Sequence, residues 1–252
     1  ANRLLIVLDA GCNMPQEWPA SPNILYHSLH NALGAWLNSG LAVRDGYRKA
    51  GLASCFYDGG YLHTFAQARG WERTQNALAF NHATGYKAEE FSMQPLQNHF
   101  HTHPDACLFS LFSAEFAQWF YRDLKHYFPS DGPRVYMSPF GFEELMLSTT
   151  AYPGDNIRGT AVWSKELATT ENETFKQALI ACGKVPNLFS LLGWEAASLA
   201  TRAIALMDET GNNGSSTGKQ LKAFTFKGPR GTIYFYDGDI HYTLAPMYEA
   251  ML

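Results

Sequence analysis

The sequence lacks the features that would commit it to a membrane or to nucleic acid. No uninterrupted apolar stretch approaches the ~20 residues that a spanning helix needs. Charged residues make up 17% of the 252, the formal net charge is −4, and no basic run exceeds a pair, which excludes an electrostatic nucleic-acid surface. No G-x-x-x-x-G-K-[ST] or G-x-G-x-x-G phosphate loop occurs, and no G-x-S-x-G nucleophile elbow is expected. The four cysteines (Cys12, Cys55, Cys107 and Cys182) form no C-x-x-C pair and no metal-like spacing, so they define no redox compartment. Cys55 and Cys107 fall inside apolar strand patterns and read as buried thiols. The chain starts at Ala1 without a methionine or a signal-like segment, and a processed or shortened start is expected.

Aromatic side chains are plentiful, with six Trp, thirteen Tyr and seventeen Phe, and such rings serve either cores or stacking pockets. The most informative stretch runs from Ala106 to Met137. A continuous apolar segment, Ala106 to Phe112, is followed by a helical pattern from Ser113 to Phe128 and a second extended segment, Arg134 to Met137. Phe116, Trp119, Phe120, Leu124 and Phe128 recur at three- and four-residue steps, giving one stripe to press on a sheet. Glu115 in the first turn complements the helix dipole. The stretch reads as β-α-β, the crossover that two parallel strands require.

The same rhythm fills most of the chain. Leu4 to Leu8 predicts a strand buried on both faces that runs into the loop Asp9-Ala-Gly-Cys-Asn. Ile24 to Tyr26 predicts a short strand and Asn31 to Leu41 a helix. Ala53 to Tyr57 predicts a strand ending in Asp58-Gly-Gly-Tyr61, then a helix from about Leu62. Further helices are expected over Ser92 to His103, Phe142 to Ser148, Asn172 to Cys182 and Leu188 to Met207, with weaker strands at Leu78 to Phe80 and Ile157 to Trp163. Residues 211–218 read as a loop, and a β-rich tail follows from Leu221 through the Gly-Pro-Arg-Gly turn to Asp237. Repeated strand-helix units predict a doubly wound α/β protein, and loops at strand carboxyl ends are where such sheets place ligands.

Three constellations carry candidate chemistry. His99, His101 and His103 have spacing that can ligate a metal, but histidines in a last helical turn also simply oppose the dipole, and only Asp105 lies near to complete a site. Cys12, on a loop after a strand, is the one thiol placed like a nucleophile, with His27 or His30 as a base. Tyr57, Tyr61, Phe109, Phe112 and Phe140 stand at or just after predicted strand ends, where aromatics either wall a small-molecule pocket or close the sheet edge.

Taken in order, several stretches carry a resemblance over nearly the whole chain: Leu5 to Pro15, Ser21 to Tyr26, Ser54 to Tyr61, Pro104 to Phe109 with Ser113 to Glu115, Met137 to Phe140, Asn156 to Gly159, Gly193 to Ala197 and Phe226 to Phe235. The chain resembles the type I periplasmic binding proteins, in particular the branched-chain amino acid and amide-binding branch of the extracellular ligand-binding receptors. The resemblance implies a two-lobed α/β fold with doubly wound parallel sheets, closing on a ligand by a hinge. It implies a partial first lobe over 1–45 and 168–222 and a second lobe over 46–167 and 223–252. Family chains normally carry roughly a hundred more residues ahead of this start, so the first lobe is expected to be incomplete.

Position by position, the resemblance places ligand contacts at Ala10, Gly11 and Cys12 in the first lobe and at Tyr61, Phe109, Ser110 and Phe140 in the second. Phe140 stands where amino-acid binders have a carboxylate for the ligand ammonium. An unpartnered ammonium in a closed cleft costs on the order of several kcal/mol, so a less polar ligand is expected, an aromatic acid, amide or small metabolite. The function implied is binding of a solute in the interlobe cleft for an ABC-type import system, in the periplasm, with the transporter's membrane subunits as partners and no enzyme activity, cofactor or metal. The alternative is a ligand-sensing domain of a signalling receptor or regulator; a hydrolase using Cys12 is a minor third.

Overall fold

The computed structural model describes residues 3–55, 60–76, 78–84, 92–112, 114–128, 132–150, 152, 156–209, 211, 213–236 and 238–252. In chain order its elements are β1 (Leu5–Asp9), β2 (Ile24–Ser28), α1 (Asn31–Arg44), β3 (Ala50–Cys55), α2 (Gly60–Arg73), β4 (Leu78–Thr84), α3 (Gln94–Thr102), β5 (Cys107–Leu111), α4 (Ala114–Tyr127), β6 (Val135–Met137), α5 (Glu144–Thr149), β7 (Ile157–Ala161), α6 (Thr170–Ala181), α7 (Leu188–Glu209), α8 (Gly214–Leu221), β8 (Phe226–Gly228), β9 (Gly231–Tyr236), β10 (Tyr242–Leu244) and β11 (Tyr248–Met251). Two units result, one formed by Ala1–His30 with Val162–Met247 and the other by Asn31–Ala161 with Tyr248–Leu252.

The second unit is built on a six-stranded sheet in the order β11-β7-β6-β5-β3-β4, parallel except for β11, which runs antiparallel to β7. Its centre is the predicted β-α-β, now β5, α4 and β6. Successive residues of β5 point to opposite faces, and both faces are covered. Leu108 and Phe112 pack with Phe116, Phe120, Tyr121 and Leu124 of α4, where the Phe112 and Phe120 rings stack 3.9 Å apart. Phe109 turns the other way, joining Leu52, Tyr136, Leu41 of α1 and the fully buried Trp71 of α2. The helix thus begins where expected, although Ser113 itself lies outside the described residues. Glu249 fastens the last strand: both its oxygens accept from the Arg44 guanidinium, at 2.6 and 2.7 Å, and Oε2 also accepts from Arg158 at 2.8 Å.

In the first unit the sheet order is β1-β2-β10-β9-β8. β1, β2 and β10 run parallel, and β9 pairs antiparallel with both β10 and β8. Leu25 packs against Ala203 and Leu206 of α7 and Leu221 of α8, with Leu4, Ile6 and Phe235 at the margin.

Several details depart from expectation. Residues 211–218 were expected to be a loop, yet Gly214–Leu221 is helical. The Asn213 side chain accepts from the Ser216 amide and caps it, and Thr217, Gly218 and Leu221 are buried, so tertiary packing favours a helix over a small, flexible run. Gly214 to Gly218 does spell G-x-S-x-G, but it follows helix α7 rather than a strand and is no nucleophile elbow. β7 stops at Ala161 rather than Trp163, because Trp163 turns away to donate its indole N–H to Asn172 Oδ1 at 2.8 Å. Boundaries also differ: α1 packs on α2 and β7 and so belongs with the second unit, while 223–247 joins β2 through β10 and belongs with the first.

Candidate functional site

In the first unit, β1 ends in the loop predicted to contact a ligand. Gly11 takes φ 85°, a left-handed conformation that glycine adopts without steric cost. Its amide donates to Asp9 Oδ1 at 2.5 Å, and Asp9 Oδ1 also accepts from Ser28 Oγ at 3.3 Å. The amide expected to hold a ligand carboxylate is therefore already engaged by one. Cys12 is half-buried, and burial followed by the Asp9 charge pushes its thiol up, away from the thiolate that a nucleophile requires.

Behind this loop lies a buried polar network. Arg230 and Glu195 are at most 1% exposed. Arg230 Nε donates to both Glu195 oxygens at 3.1 Å, its Nη2 lies 3.0 Å from Oε2, and Nη2 also donates to the Ser28 carbonyl at 3.0 Å. Burial opposes the Glu195 charge, but Arg230 and His27 outweigh it and hold the carboxyl below the usual carboxylate range. His27 Nε2 lies 3.1 Å from Glu195 Oε2, and its Nδ1 is 2.8 Å from Thr243 Oγ1. Two stretches that carried the resemblance, Gly193–Ala197 and Phe226–Phe235, thus meet through Glu195 and Arg230. Sequence reasoning gave neither residue a role. The available signal was a lone Glu on an apolar helix and a lone Arg in a Gly-Pro-Arg-Gly turn, which pair only once the fold brings them together. His30 completes the cluster with φ 56°, its ring edge-on to Tyr242 at 5.6 Å and its Nε2 at 2.5 Å from the Thr243 carbonyl. Burial lowers the His30 pKa to about 4, so the ring is neutral at physiological pH.

In the second unit, the strand carboxyl ends bring together groups that the sequence kept apart. His63, in the first turns of α2, is 1% exposed, and its Nδ1 is hydrogen-bonded to Ser138 Oγ just after β6. The Phe140 ring stands edge-on to the imidazole at 6.2 Å, held in a 3₁₀ turn spanning Pro139–Phe142. Burial lowers His63 to about 4. Gln67 Nε2, one helical turn on from His63, donates to the Tyr136 carbonyl at 2.8 Å, and Thr64 Oγ1 reaches Ser54 Oγ at 3.2 Å. The result is an uncharged patch of donors and acceptors beside an aromatic ring. His63 and Ser138 were missed because an isolated His in a helix and a Ser before a Pro carry no pattern.

The remaining sequence-predicted positions are scattered. Tyr61 lies in the opening of α2, while Tyr57 falls outside the described residues. Phe109 is fully buried mid-strand against Trp71, 5.4 Å between ring centroids. Ser110 is fully buried on the opposite face, its Oγ 3.4 Å from Tyr121 OH. Neither offers side-chain surface to a ligand within this unit. The His99 and His103 rings lie 5.0 Å apart, and among the described residues no group of three or more His, Cys, Asp or Glu is placed to hold a metal ion.

Two α/β units, each built on a sheet with parallel strands and with polar and aromatic side chains at strand carboxyl ends, define the class as α/β. The particular fold is that of the substrate-binding proteins of ABC transporters. One such protein from Sphaerobacter thermophilus matches with a TM-score of 0.80 at 17% identity, over 96% of this chain and 66% of that one. An ABC transporter solute-binding protein from R. palustris, in complex with benzoate, matches with a TM-score of 0.71 at 16% identity, over 92% and 63%. A third, from Desulfitobacterium hafniense, matches with a TM-score of 0.71 at 10% identity, over 99% and 70%. The chain therefore spans just under two thirds of the length of the first two. No protein-family model and no curated protein matches the sequence. No helix among the described residues is long and apolar enough to cross a membrane.

Proposed function

We propose that this protein binds a small aromatic acid, or a closely related amide, and presents it to the membrane subunits of an ABC-type importer in the periplasm, without catalysing a reaction. The observation that carries the reading is the Phe140 ring, half-buried just beyond β6 and backed by the neutral, fully buried His63–Ser138 pair. A free amino acid would need a carboxylate for its ammonium, and an aromatic ring at Phe140 supplies none. A benzoate-like ring instead gains edge or face contact with Phe140. Solved proteins of the same fold were captured with benzoate, with 3,4-dihydroxybenzoic acid and with 4-hydroxybenzoate.

At the loop after β1, the Asp9 carboxylate already accepts from Gly11, and it repels a second anion. This favours a ligand group that donates, a ring hydroxyl or an amide N–H, beside Ala10, Gly11 and Cys12. Tyr61 and Phe140 are proposed as direct contacts in the second unit, with Phe109 and Ser110 supporting the strand behind them. The raised Cys12 thiol argues against covalent catalysis.

Titration calorimetry with benzoate, 4-hydroxybenzoate and leucine tests the proposal. Binding of the aromatic acids is expected, with 4-hydroxybenzoate preferred, and Phe140→Ala weakens it about tenfold, the scale of one lost aromatic contact with its apolar area. Tight leucine binding with no response to either benzoate would overturn it.

A further inference from the structure

A second recess lies at the other edge of the first unit's sheet. Pro22 precedes β2 and His241 precedes β10, and because these strands run parallel both residues stand at the amino-terminal edge. The Tyr26 amide donates to the His241 carbonyl at 2.9 Å and fixes that edge. Helix α8 covers it closely: Gly214 abuts the backbone of Arg3 and Leu4, and Gly218 abuts the Pro22 carbonyl. A five-residue strand spans ~17 Å, so this edge is well separated from the loop at the carboxyl end of β1.

The recess has a volume of about 360 Å³ and is lined by Pro22, Ser215, Lys219, Lys222, Ala223 and His241. Two lysines, a histidine and a serine are among the lining residues and none of these is acidic, in a chain whose net charge is −4. Lys222 Nζ donates to His241 Nδ1 at 3.2 Å, which holds the ammonium at the recess and leaves its other N–H bonds able to reach the oxygens of an anion. Pro22 and Ala223 supply an apolar wall, so the space suits an oxyanion that bears an organic substituent as well as a bare one.

We propose that this recess is an anion site for a phosphoryl group, separate from the solute site. Lys219 and Lys222 supply the charge, His241 positions Lys222, Ser215 directs the oxygens, and the apolar wall receives the remainder of a phosphate monoester. A soluble ester and the headgroup of a phosphatidic acid membrane present the same chemistry.

The test is calorimetry on the 252-residue protein at low ionic strength with inorganic phosphate and glycerol phosphate, together with co-sedimentation on phosphatidic acid vesicles and phosphatidylcholine vesicles. One saturable site is expected, weakened about tenfold by Lys219→Gln and by Lys222→Gln, the size of a lost charge-assisted hydrogen bond. Because Lys219 is exposed and Lys222 half-buried, both variants are expected to melt like the parent and to leave benzoate binding unchanged. Binding of the soluble ester alone identifies a free ligand; sedimentation with phosphatidic acid that both substitutions abolish identifies a headgroup. The absence of saturable binding to any of these probes overturns the site, as does binding that survives both substitutions.

Discussion

Replacing Arg230 by Met probes the buried network of the first unit. Arg230 and Glu195 are both essentially inaccessible, joined by three nitrogen–oxygen approaches of 3.0–3.1 Å, and Arg230 also caps the Ser28 carbonyl. Removing one member of such a pair leaves a buried carboxylate uncompensated and costs about 3–5 kcal/mol. For a chain of this size that lowers the melting temperature by roughly 10 °C. Burial, and after it the Arg230 charge, lower His27 while Glu195 opposes them; removing Arg230 lifts the second of these, so the imidazole takes up a proton and pairs with Glu195 more readily at acid pH. The loss is therefore expected to be larger at pH 8 than at pH 5.5. The double variant Arg230→Met with Glu195→Leu removes both charges and should recover most of the stability, giving a coupling energy of about 2–3 kcal/mol in a double-mutant cycle. The assay is differential scanning calorimetry with urea titration at the two pH values. A single variant that melts within about 2 °C of the parent, or a double variant as unstable as the sum of the two singles, would refute the reasoning.

Two further perturbations address the second unit. His63 has a folded pKa of about 4 against an ordinary value of 6.5, so the unfolded chain binds its proton first. The stability it contributes is complete above about pH 6.5 and is lost as pH falls towards 4, amounting to roughly 3 kcal/mol; His63→Asn should flatten the decline in urea midpoints between pH 7 and 4.5 by about that amount. Gly159 lets β7 lie close to β6, since a Cβ there would collide with the Met137 carbonyl oxygen and sit 2.9 Å from the Phe142 ring. A backbone carbonyl cannot step aside, so Gly159→Ala should destabilise by roughly 1–3 kcal/mol or more, measured by chemical denaturation, and a neutral effect would show that the strands can separate there.

The β-α-β at 107–137 was legible from residue types alone because a helix with one aromatic stripe and two apolar flanks has few other ways to bury its surface. The same holds for α6 and α7, whose lengths exceed anything a turn can accommodate. Helix α8 was not legible. Gly214-Ser-Ser-Thr-Gly218 has the composition of a loop, and only the Asn213 cap and the burial of Thr217 and Leu221 make it helical. Phe140 stands just beyond β6, whereas Phe109 and Ser110, one residue apart on a pleated strand, necessarily face opposite sides of the sheet and are drawn into cores that the sequence does not display.

Periodicity and length determined the α/β class, and the sequence carries none of the common nucleotide-binding loops, because those properties depend on near neighbours in the chain. Which polar groups meet was decided by tertiary structure. His63 and Ser138 are separated by 75 residues and Glu195 and Arg230 by 35, and a hydrogen bond or ion pair requires approach to about 3 Å. Nothing local records that approach, so pairs formed across the sheet become visible only when the strands are placed side by side.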